Sequence, residues 1–266
     1  MSYLLVDTSY LAFYRFFATK QWYRRAQEYQ DDASMVTDPV FSEMFAKKTK
    51  DCLAEVVKKY QIPWSHVIFA RDCPRSEIWR LKHCSDYKGS RVDQTNCRSS
   101  FYQIREIIMD LIRSHDVKCL SVPQAEADDI VSVCHRFLRE QDSETLCYIL
   151  ASDTDYFQLL DSHTKLVRLD RYDPMKTFGG DPQVELLAKI IGGDTSDNIP
   201  KCFAKCGKKT AMTLAQHPSQ LSARLAQDPV AQSQFKLNQL LIDFRSVPED
   251  LQQLIEIKLM VSLGYL

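Results

Sequence analysis

The chain has 266 residues, of which 45% are hydrophobic and 26% are charged, and this composition excludes a disordered chain in favour of a folded globular protein. Its longest apolar runs have the length of strands, whereas a membrane span needs ~20 apolar residues, so we expect no contact with a membrane. The start lacks the features of a signal peptide. The nine cysteines lie mostly in apolar stretches, so we expect reduced thiols in an intracellular protein.

Four short apolar runs alternate with segments of helical periodicity, and they cover residues 3–6, 66–70, 118–122 and 146–151. This alternation predicts an α/β fold with a largely parallel central sheet and crossover helices. Helical periodicity is clearest over residues 41–60 and 101–115, where apolar residues recur on one face. After about residue 175 the strand pattern fades, and the sequence predicts helices over residues 184–191, 210–216, 219–225 and 251–262.

Acidic residues directly follow three of the four predicted strands: Asp7, Asp72, and the pair Asp153 and Asp155. Ligands of open α/β sheets bind beyond the carboxyl ends of the strands, so we expect these four side chains to converge on one edge. The pair by itself is weak evidence, because a D-x-D sequence is also typical of a turn in which the first aspartate caps the next helix.

A second acidic group, Glu126, Asp128 and Asp129, lies in the predicted first turn of an amphipathic helix. One interpretation is that these acids offset the positive end of the helix dipole. Three acids in four positions repel one another, however, and a bound cation would remove that repulsion. A third pair, Asp194 and Asp197, lies in a glycine-started loop that could bend back to the sheet edge, although turn chemistry alone would also explain it.

The acids together form an oxygen-only ligand set, which suits hard cations such as Mg²⁺ or Mn²⁺. Two such ions about 3.5 to 4 Å apart can activate water and stabilise the leaving oxygen in phosphodiester hydrolysis. The net charge of −1 is low for a protein that binds DNA. Setting eight site carboxylates aside leaves about +7, with basic clusters at residues 47–59, 75–91 and 201–209.

Six motifs occur in order along residues 3–215: Val-Asp7-Thr-Ser, Asp72, Tyr87-Lys88-Gly-Ser-Arg91, Glu126-Ala-Asp128-Asp129, Asp153-Thr-Asp155 and Gly-Asp194-Thr-Ser-Asp197-Asn-Ile-Pro. In this order they resemble the flap endonuclease and 5′-to-3′ exonuclease family, nearest to bacteriophage exonucleases and the 5′-nuclease domain of bacterial DNA polymerase I. The resemblance implies a PIN-like fold and a monomeric, structure-specific 5′-nuclease that cuts near single-strand to double-strand junctions. Its substrate would be DNA with a 5′ flap, a nick or a free 5′ end, including RNA-primed DNA.

The same resemblance implies two Mg²⁺ or Mn²⁺ ions that share the acids. The first ion is held mainly by Asp7, Asp72, Glu126 and Asp128, and the second by Asp153, Asp155, Asp194 and Asp197, while Asp129 acts through water. Lys88 and Arg91 are expected to contact the scissile phosphate, and Arg80 and Tyr87 to add DNA contacts. The residues expected to be catalytic are Lys88, Arg91, Asp7, Asp72, Asp128, Asp153 and Asp155.

Residues 201–211 resemble the helix-hairpin-helix segment of the family, whose lysines and backbone amides hold a duplex phosphate, often with K⁺. Here the usual G-x-G hairpin is reduced to Cys206-Gly207, with Lys205 near the position of the earlier glycine. We expect duplex binding through Lys205, Gly207, Lys208 and Lys209, and leave the K⁺ ion open. The expected division is a PIN-like nuclease core over residues 1–175 and a helical region over residues 176–266, with the hairpin segment at about 190–216.

Two segments depart from the family pattern. The stretch between Arg91 and Glu126 is short for a full helical arch, so threading of a free 5′ end is left open, and residues 20–38 have no assignment. A PIN-type ribonuclease would share the acidic edge but lack the Lys88 and Arg91 segment, and a catalytically inactive binder of DNA junctions would not need the intact acids. A haloacid-type phosphatase would carry its D-x-D motif near the start of the chain.

Overall fold

The computed structural model describes residues 1–26, 35, 37–91, 98–170 and 172–266, with residues 98–101 described by their backbone alone. Residues 92–97, on which the question of a helical arch depends, fall outside the described residues. So does most of the second half of the unassigned segment at residues 20–38.

The strands of the described chain are β1 (Ser2–Asp7), β2 (Val67–Arg71), β3 (Lys118–Ser121), β4 (Leu146–Leu150) and β5 (Thr164–Val167). They form one parallel sheet in the order β3-β2-β1-β4-β5. The predicted α/β class and the four predicted strands are confirmed, with each strand end within one residue of its prediction. β5 was not predicted.

The helices of the described chain are α1 (Thr8–Ala26), α2 (Pro39–Lys59), α3 (Arg98–His115), α4 (Ala127–Gln141), α5 (Pro182–Gly192), α6 (Lys208–Gln216), α7 (Pro218–Ala226), α8 (Pro229–Ile242) and α9 (Glu249–Leu263). All seven helices that the sequence predicts, including the amphipathic helix that begins near Glu126, are present. α1 and α8 were not predicted, and α1 accounts for the first part of the unassigned segment. Within the described residues, none of the helices combines the length and apolarity that crossing a membrane requires.

Helices cover both faces of the sheet. Tyr3 and Leu5 of β1 belong to the core formed with α4 and α9, whereas Leu4 and Val6 belong to the core formed with α1, α2 and α3. Successive side chains of a strand point to opposite faces, so a strand buried on both faces is apolar throughout. Helices α5 to α8 add a separate, smaller core beyond the sheet.

The order of the strands determines where a site can form. β1 lies at the centre, and the chain runs outward through β2 and β3 before it returns to β4 on the other side of β1. A crevice forms at the carboxyl edge where the strand order reverses in this way. The residues that follow β1, β2 and β4 therefore meet at one place.

Candidate active site

The first acids of the site lie at the ends of β1 and β2. Asp7 ends β1, and its side chain accepts hydrogen bonds from the backbone amide of Tyr10 at 3.0 Å and from the hydroxyl of Tyr156 at 3.2 Å. Asp72 follows β2 and accepts from the backbone amide of Ala127 at 2.8 Å and from the hydroxyl of Ser9. Asp72 therefore links the start of α1 to the start of α4.

The start of α4 brings three more acids to this edge. Glu126 is the N-cap residue of the helix, and carboxylate oxygens of Glu126, Asp128 and Asp129 lie within 4.8 Å of one another, a grouping that could hold a metal ion. The amide of Glu126 donates to Asp129 at 3.0 Å, so Asp129 also caps the helix as the simpler interpretation expects. Glu126 and Asp129 thus cap the helix, and all three acids lie close enough together to hold a metal ion.

A buried arginine occupies the inner side of this group. Arg80 is 1% exposed, and its guanidinium donates to Glu126 at 2.8 Å and to both oxygens of Asp129 at 2.8 and 3.0 Å. Its Nε donates to the carbonyl of Leu241 in α8 at 2.8 Å. The predicted DNA contact of Arg80 does not fit this burial, because its donors do not reach the surface. Both oxygens of Asp129 accept hydrogen bonds from Arg80, and its predicted metal role, which acts through water, stays a prediction.

Tyr87 also differs from its predicted role. The residue is 3% exposed, and its hydroxyl lies 3.1 Å from Glu126 and 3.3 Å from Asp197. Burial, followed by the charge of Glu126, raises the pKa of Tyr87, so the hydroxyl remains a donor. This side chain therefore joins two acids of the site in the interior, and its burial does not fit the predicted DNA contact.

The second group of acids follows β4 and α5. Asp153 accepts a hydrogen bond from the backbone amide of Asp155 at 3.0 Å and caps the short 3₁₀ helix Thr154–Leu159. The amine of Lys189, on α5, contacts Asp155 and lies 2.9 Å from Asp194. Asp153 therefore caps a short helix, as the capping interpretation predicts. Lys189 joins Asp155 to Asp194.

The loop after α5 requires a glycine. Gly193 has φ +68°, and a Cβ there would lie 2.4 Å from the carbonyl oxygen of Ile199, a conformation open in practice only to glycine. Two hydrogen bonds between the backbones of Asp194 and Ile199, at 2.7 and 2.9 Å, close the loop. This turn directs Asp194 toward Lys189 and Asp155.

Asp197, three residues further on, has different neighbours. It contacts Arg91, lies 3.7 Å from the amine of Lys88 and is bonded to Tyr87. The structure thus groups Asp197 with Glu126 and the basic turn, whereas the resemblance groups it with Asp194.

The basic turn at residues 86–91 lies on the Asp197 loop. The backbone amide of Lys88 donates to the carbonyl of Asp197 at 2.9 Å, and the amine of Lys88 contacts Glu126. Asn198 bonds with its amide to Asp86 at 3.2 Å and accepts from the hydroxyl of Ser90. The turn and the loop, which are separated by more than 100 residues of sequence, therefore form one unit.

Charge repulsion inside the site shows in the pKa values of its acids. Burial and the charge of Asp72 raise the pKa of Asp7 to about 7, and burial and the charge of Asp128 raise the pKa of Glu126 to about 7. Burial and Asp128 also raise the pKa of Asp153, although Lys189 opposes this. The charge of Asp128 contributes to the raised pKa of all three acids.

The acids stabilise the charged form of the basic residues beside them. Burial alone would lower the pKa of Lys88, but Glu126, Asp128 and Asp197 outweigh burial and raise it. Arg91 follows the same pattern beside Asp197. Asp194 has its pKa lowered to about 2, because Lys189 and the hydroxyl of Ser196 outweigh the effect of burial. Lys88 and Arg91 are therefore charged at neutral pH, and they lie among the acids.

The hairpin between α5 and α6 presents the predicted basic residues. Lys205, Lys208 and Lys209 are exposed, and Gly207 is the N-cap residue of α6. Gly207 has an ordinary φ of −87°, and a Cβ there would meet nothing within 4 Å, so the position does not require glycine. A cavity of about 360 Å³ extends from Asp155 and Asp194 to Lys208, which connects the hairpin to the second acid group.

A family model described as the 5′-3′ exonuclease N-terminal resolvase-like domain matches residues 2–183. The chain belongs to the 5′-3′ exonuclease family. DNA polymerase I of Streptococcus pneumoniae (strain TIGR4) is 30% identical over 223 residues, which are 79% of this chain and 23% of that protein. A 5′-3′ exonuclease of Halalkalibacterium halodurans is 27% identical over 222 residues, 80% of this chain and 69% of that protein.

Solved structures of other family members have the same fold. The bacteriophage T5 5′-exonuclease with bound zinc superposes with a TM-score of 0.67 at 16% identity, over 98% of this chain and all of that one. The T5 flap endonuclease in complex with DNA and metal ions gives a TM-score of 0.67 at 16% identity, over 99% and 100% of the two chains. The chain spans about a quarter of the length of the DNA polymerase I proteins that it matches. The PIN-like fold implied by the motifs is confirmed.

Two residues of this family member were not singled out from its sequence. The sequence marks Lys189 only as part of a predicted helix, but it lies in the last turn of α5, five residues before Asp194. Tyr156, whose hydroxyl bonds to Asp7, directly follows Asp155 but carries no sequence signal that separates it from a core tyrosine.

Proposed function

We propose that the chain is a structure-specific 5′-nuclease that hydrolyses DNA phosphodiesters near single-strand to double-strand junctions. The observation that carries this proposal is the meeting of acids from β1, β2, β4, α4 and the loop after α5 at one sheet edge, with Lys88 and Arg91 beside them. Family membership supports it and does not favour a PIN-type ribonuclease or an inactive DNA-junction binder.

The acids fit two divalent cations of the Mg²⁺ or Mn²⁺ type. The donors are carboxylate oxygens alone, and the pKa values of Asp7 and Glu126 are raised by burial and then by neighbouring negative charge, which a cation would offset. In this proposal Asp7, Asp72, Glu126 and Asp128 hold one ion, and Asp153, Asp155 and Asp194 the other, with Asp197 beside Lys88 and Arg91. Such ions supply positive charge at the reacting phosphate and ease the ionisation of the attacking water.

The basic residues of the chain then divide into two roles. Lys88 and Arg91 lie against the acids and would neutralise charge on the scissile phosphate. The exposed lysines of the hairpin, Lys205, Lys208 and Lys209, would hold a duplex phosphate at the start of α6. In this proposal residues 1–175 form the nuclease core and residues 176–266 form a helical region that binds duplex DNA. The protein acts as a monomer, and its substrate is DNA with a 5′ flap, a nick or a free 5′ end.

Digestion of 5′-labelled flap DNA, nicked duplex and single-stranded RNA, each with Mg²⁺, Mn²⁺ or a chelator, tests this function. We expect metal-dependent cleavage of the flap near its junction. Equal or preferential cleavage of the RNA would favour the ribonuclease, and tight binding without cleavage would favour the inactive binder.

Asp155→Asn is the matched control for this digestion. An amide of equal size removes one charge from the second acid group without opening a cavity, so we expect a folded protein whose flap cleavage falls to background. Cleavage at the rate of the unsubstituted protein would remove Asp155 from the site.

A further inference from the structure

Arg75 bonds to the backbone of the basic turn. One terminal nitrogen of its guanidinium donates to the carbonyl of Arg91 at 2.9 Å, and the other donates to the carbonyl of Lys88. Both are basic residues of the turn, and their side chains reach Glu126 and Asp197. We propose that Arg75 is a positioning residue that fixes Lys88 and Arg91 over the acid site, an inference that rests on the proposed nuclease function.

The conformation of the turn explains why it needs this support. Lys88 has φ +56°, in the left-handed region that side chains other than glycine seldom adopt, and such residues persist where surrounding contacts determine them. The Asp197 loop supports one side of the turn, through the amide of Lys88 and the side chain of Asn198. Arg75 supports the other side, because it donates to the carbonyls of Lys88 and Arg91.

Arg75 is itself mounted on a fixed loop. It begins the 3₁₀ helix Arg75–Glu77, three residues after Asp72. The amide of Cys73 donates to the carbonyl of Ala125 at 2.9 Å, and that of Trp79 donates to Gln124 at 3.1 Å. Because this loop is bonded to the residues just before Glu126, Arg75 relates the position of the basic turn to that of the acids.

A competing role for Arg75 is direct contact with a DNA phosphate, since its side chain lies on an exposed loop. The two roles differ in what they require. A phosphate contact needs only charge, which lysine also supplies, whereas bonds to two carbonyls use the planar fork of a guanidinium. A positioning role also acts through Lys88 and Arg91, so its effect is non-additive with theirs.

Amide hydrogen exchange tests the positioning role without reference to catalysis. In Arg75→Ala we expect faster exchange of the amides of Lys88, Gly89 and Arg91, with the melting temperature of the protein unchanged. Glu77→Ala, which removes an exposed charge from the same 3₁₀ helix without touching a bond to the turn, is the matched control and should exchange like the unsubstituted protein. Unchanged exchange at the turn in Arg75→Ala would overturn the proposal.

Single-turnover cleavage of flap DNA at saturating enzyme gives the second readout. We expect Arg75→Ala to lower the saturated rate roughly tenfold, because misplacing a group at the reacting centre is costly, and to leave the salt dependence of binding unchanged. Arg75→Lys should not restore the rate, and Arg75→Ala should have a smaller effect in a Lys88→Ala background. Rescue by lysine, with a salt slope reduced by about one in Arg75→Ala, would show a phosphate contact instead. Absence of cleavage by the unsubstituted protein would refute the proposed function and leave the exchange result to decide the role of Arg75.

Discussion

Lys88 brings a positive charge to the part of the site where Glu126 and Asp197 meet. Its elevated pKa keeps that charge across the neutral range. We expect Lys88→Ala to lower the single-turnover rate at saturating enzyme about a hundredfold, the scale of removing one group that stabilises developing charge. The dissociation constant for flap DNA should change little. A loss of affinity with the saturated rate intact would make Lys88 an ordinary backbone contact.

Arg80 has a structural role that can be measured apart from activity. Replacing it with alanine leaves Glu126 and Asp129 buried without their cation, and breaking a buried ion pair costs about 3–5 kcal/mol. Urea denaturation of Arg80→Ala should therefore show a strongly lowered midpoint. Lys50→Ala, which removes an exposed ion pair with Asp110, is the control and should unfold at the midpoint of the unsubstituted protein. Equal midpoints for the two variants would contradict the role assigned to Arg80.

The acids of the site could be predicted because each one lies at the end or the start of an element with a clear sequence pattern. Asp7 and Asp72 end apolar strands, and Asp194 lies beside a glycine with a positive φ. The roles of Arg80 and Tyr87 could not be predicted, because the sequence around them does not reveal whether a polar side chain faces the solvent or the interior. Burial is decided by distant partners, such as Leu241 for Arg80.

At the scale of elements, α6 and the hairpin before it form the part of the surface that we assign to duplex binding. Lys208→Ala combined with Lys209→Ala should weaken binding to substrates that contain duplex DNA, because each lost phosphate contact releases about one fewer counterion. The slope of log K against log salt should fall by about two, while the saturated cleavage rate persists. Binding to single-stranded DNA is the control and should change less. An unchanged salt slope would remove these lysines from the interface.

Helices and strands differ in how far the sequence predicts them. α2 and α3 have apolar residues on one face, so their periodicity is visible in the sequence. α1 carries aromatic residues on most of its circumference, from Tyr10 to Tyr23, and this distribution hides the period. β5 lies at one edge of the sheet, and its strand conformation depends on its parallel pairing with β4.

At the scale of the whole molecule, the acid site makes stability depend on pH. Asp7 and Glu126 have ordinary pKa values of 3.8 and 4.5 that rise to about 7 in the folded protein. Between about pH 4 and 7 the folded protein therefore keeps protons that the unfolded chain has lost. The free energy of unfolding contributed by these groups is greatest below about pH 4 and is lost as the pH rises toward 7.

Melting temperatures measured from about pH 4.5 to 8 in a chelator test this dependence. We expect the stability of the protein to fall across the window, and Mg²⁺ or Ca²⁺ to restore more of it at the upper end, because a cation binds the ionised carboxylates of the folded state. The double variant Asp7→Asn, Glu126→Gln should show a flatter profile and a smaller response to metal. Asp194 does not contribute here, since its pKa is lowered to about 2. Identical profiles for the variant and the unsubstituted protein would contradict the assignment.

The long sequence separation of the bonds around the site has a consequence for the protein during its synthesis. The hydrogen bond of Asp7 joins it to Tyr156, which is 149 residues away, and that of Arg80 joins it to the carbonyl of Leu241, which is 161 residues away. A ribosome delivers the chain from its amino end, so the acids of β1 and β2 leave the exit tunnel long before the residues that position them. The nascent chain therefore holds an incomplete site through most of its translation, and a message broken before the codons of α8 would yield a product whose Arg80 lacks its partner in α8.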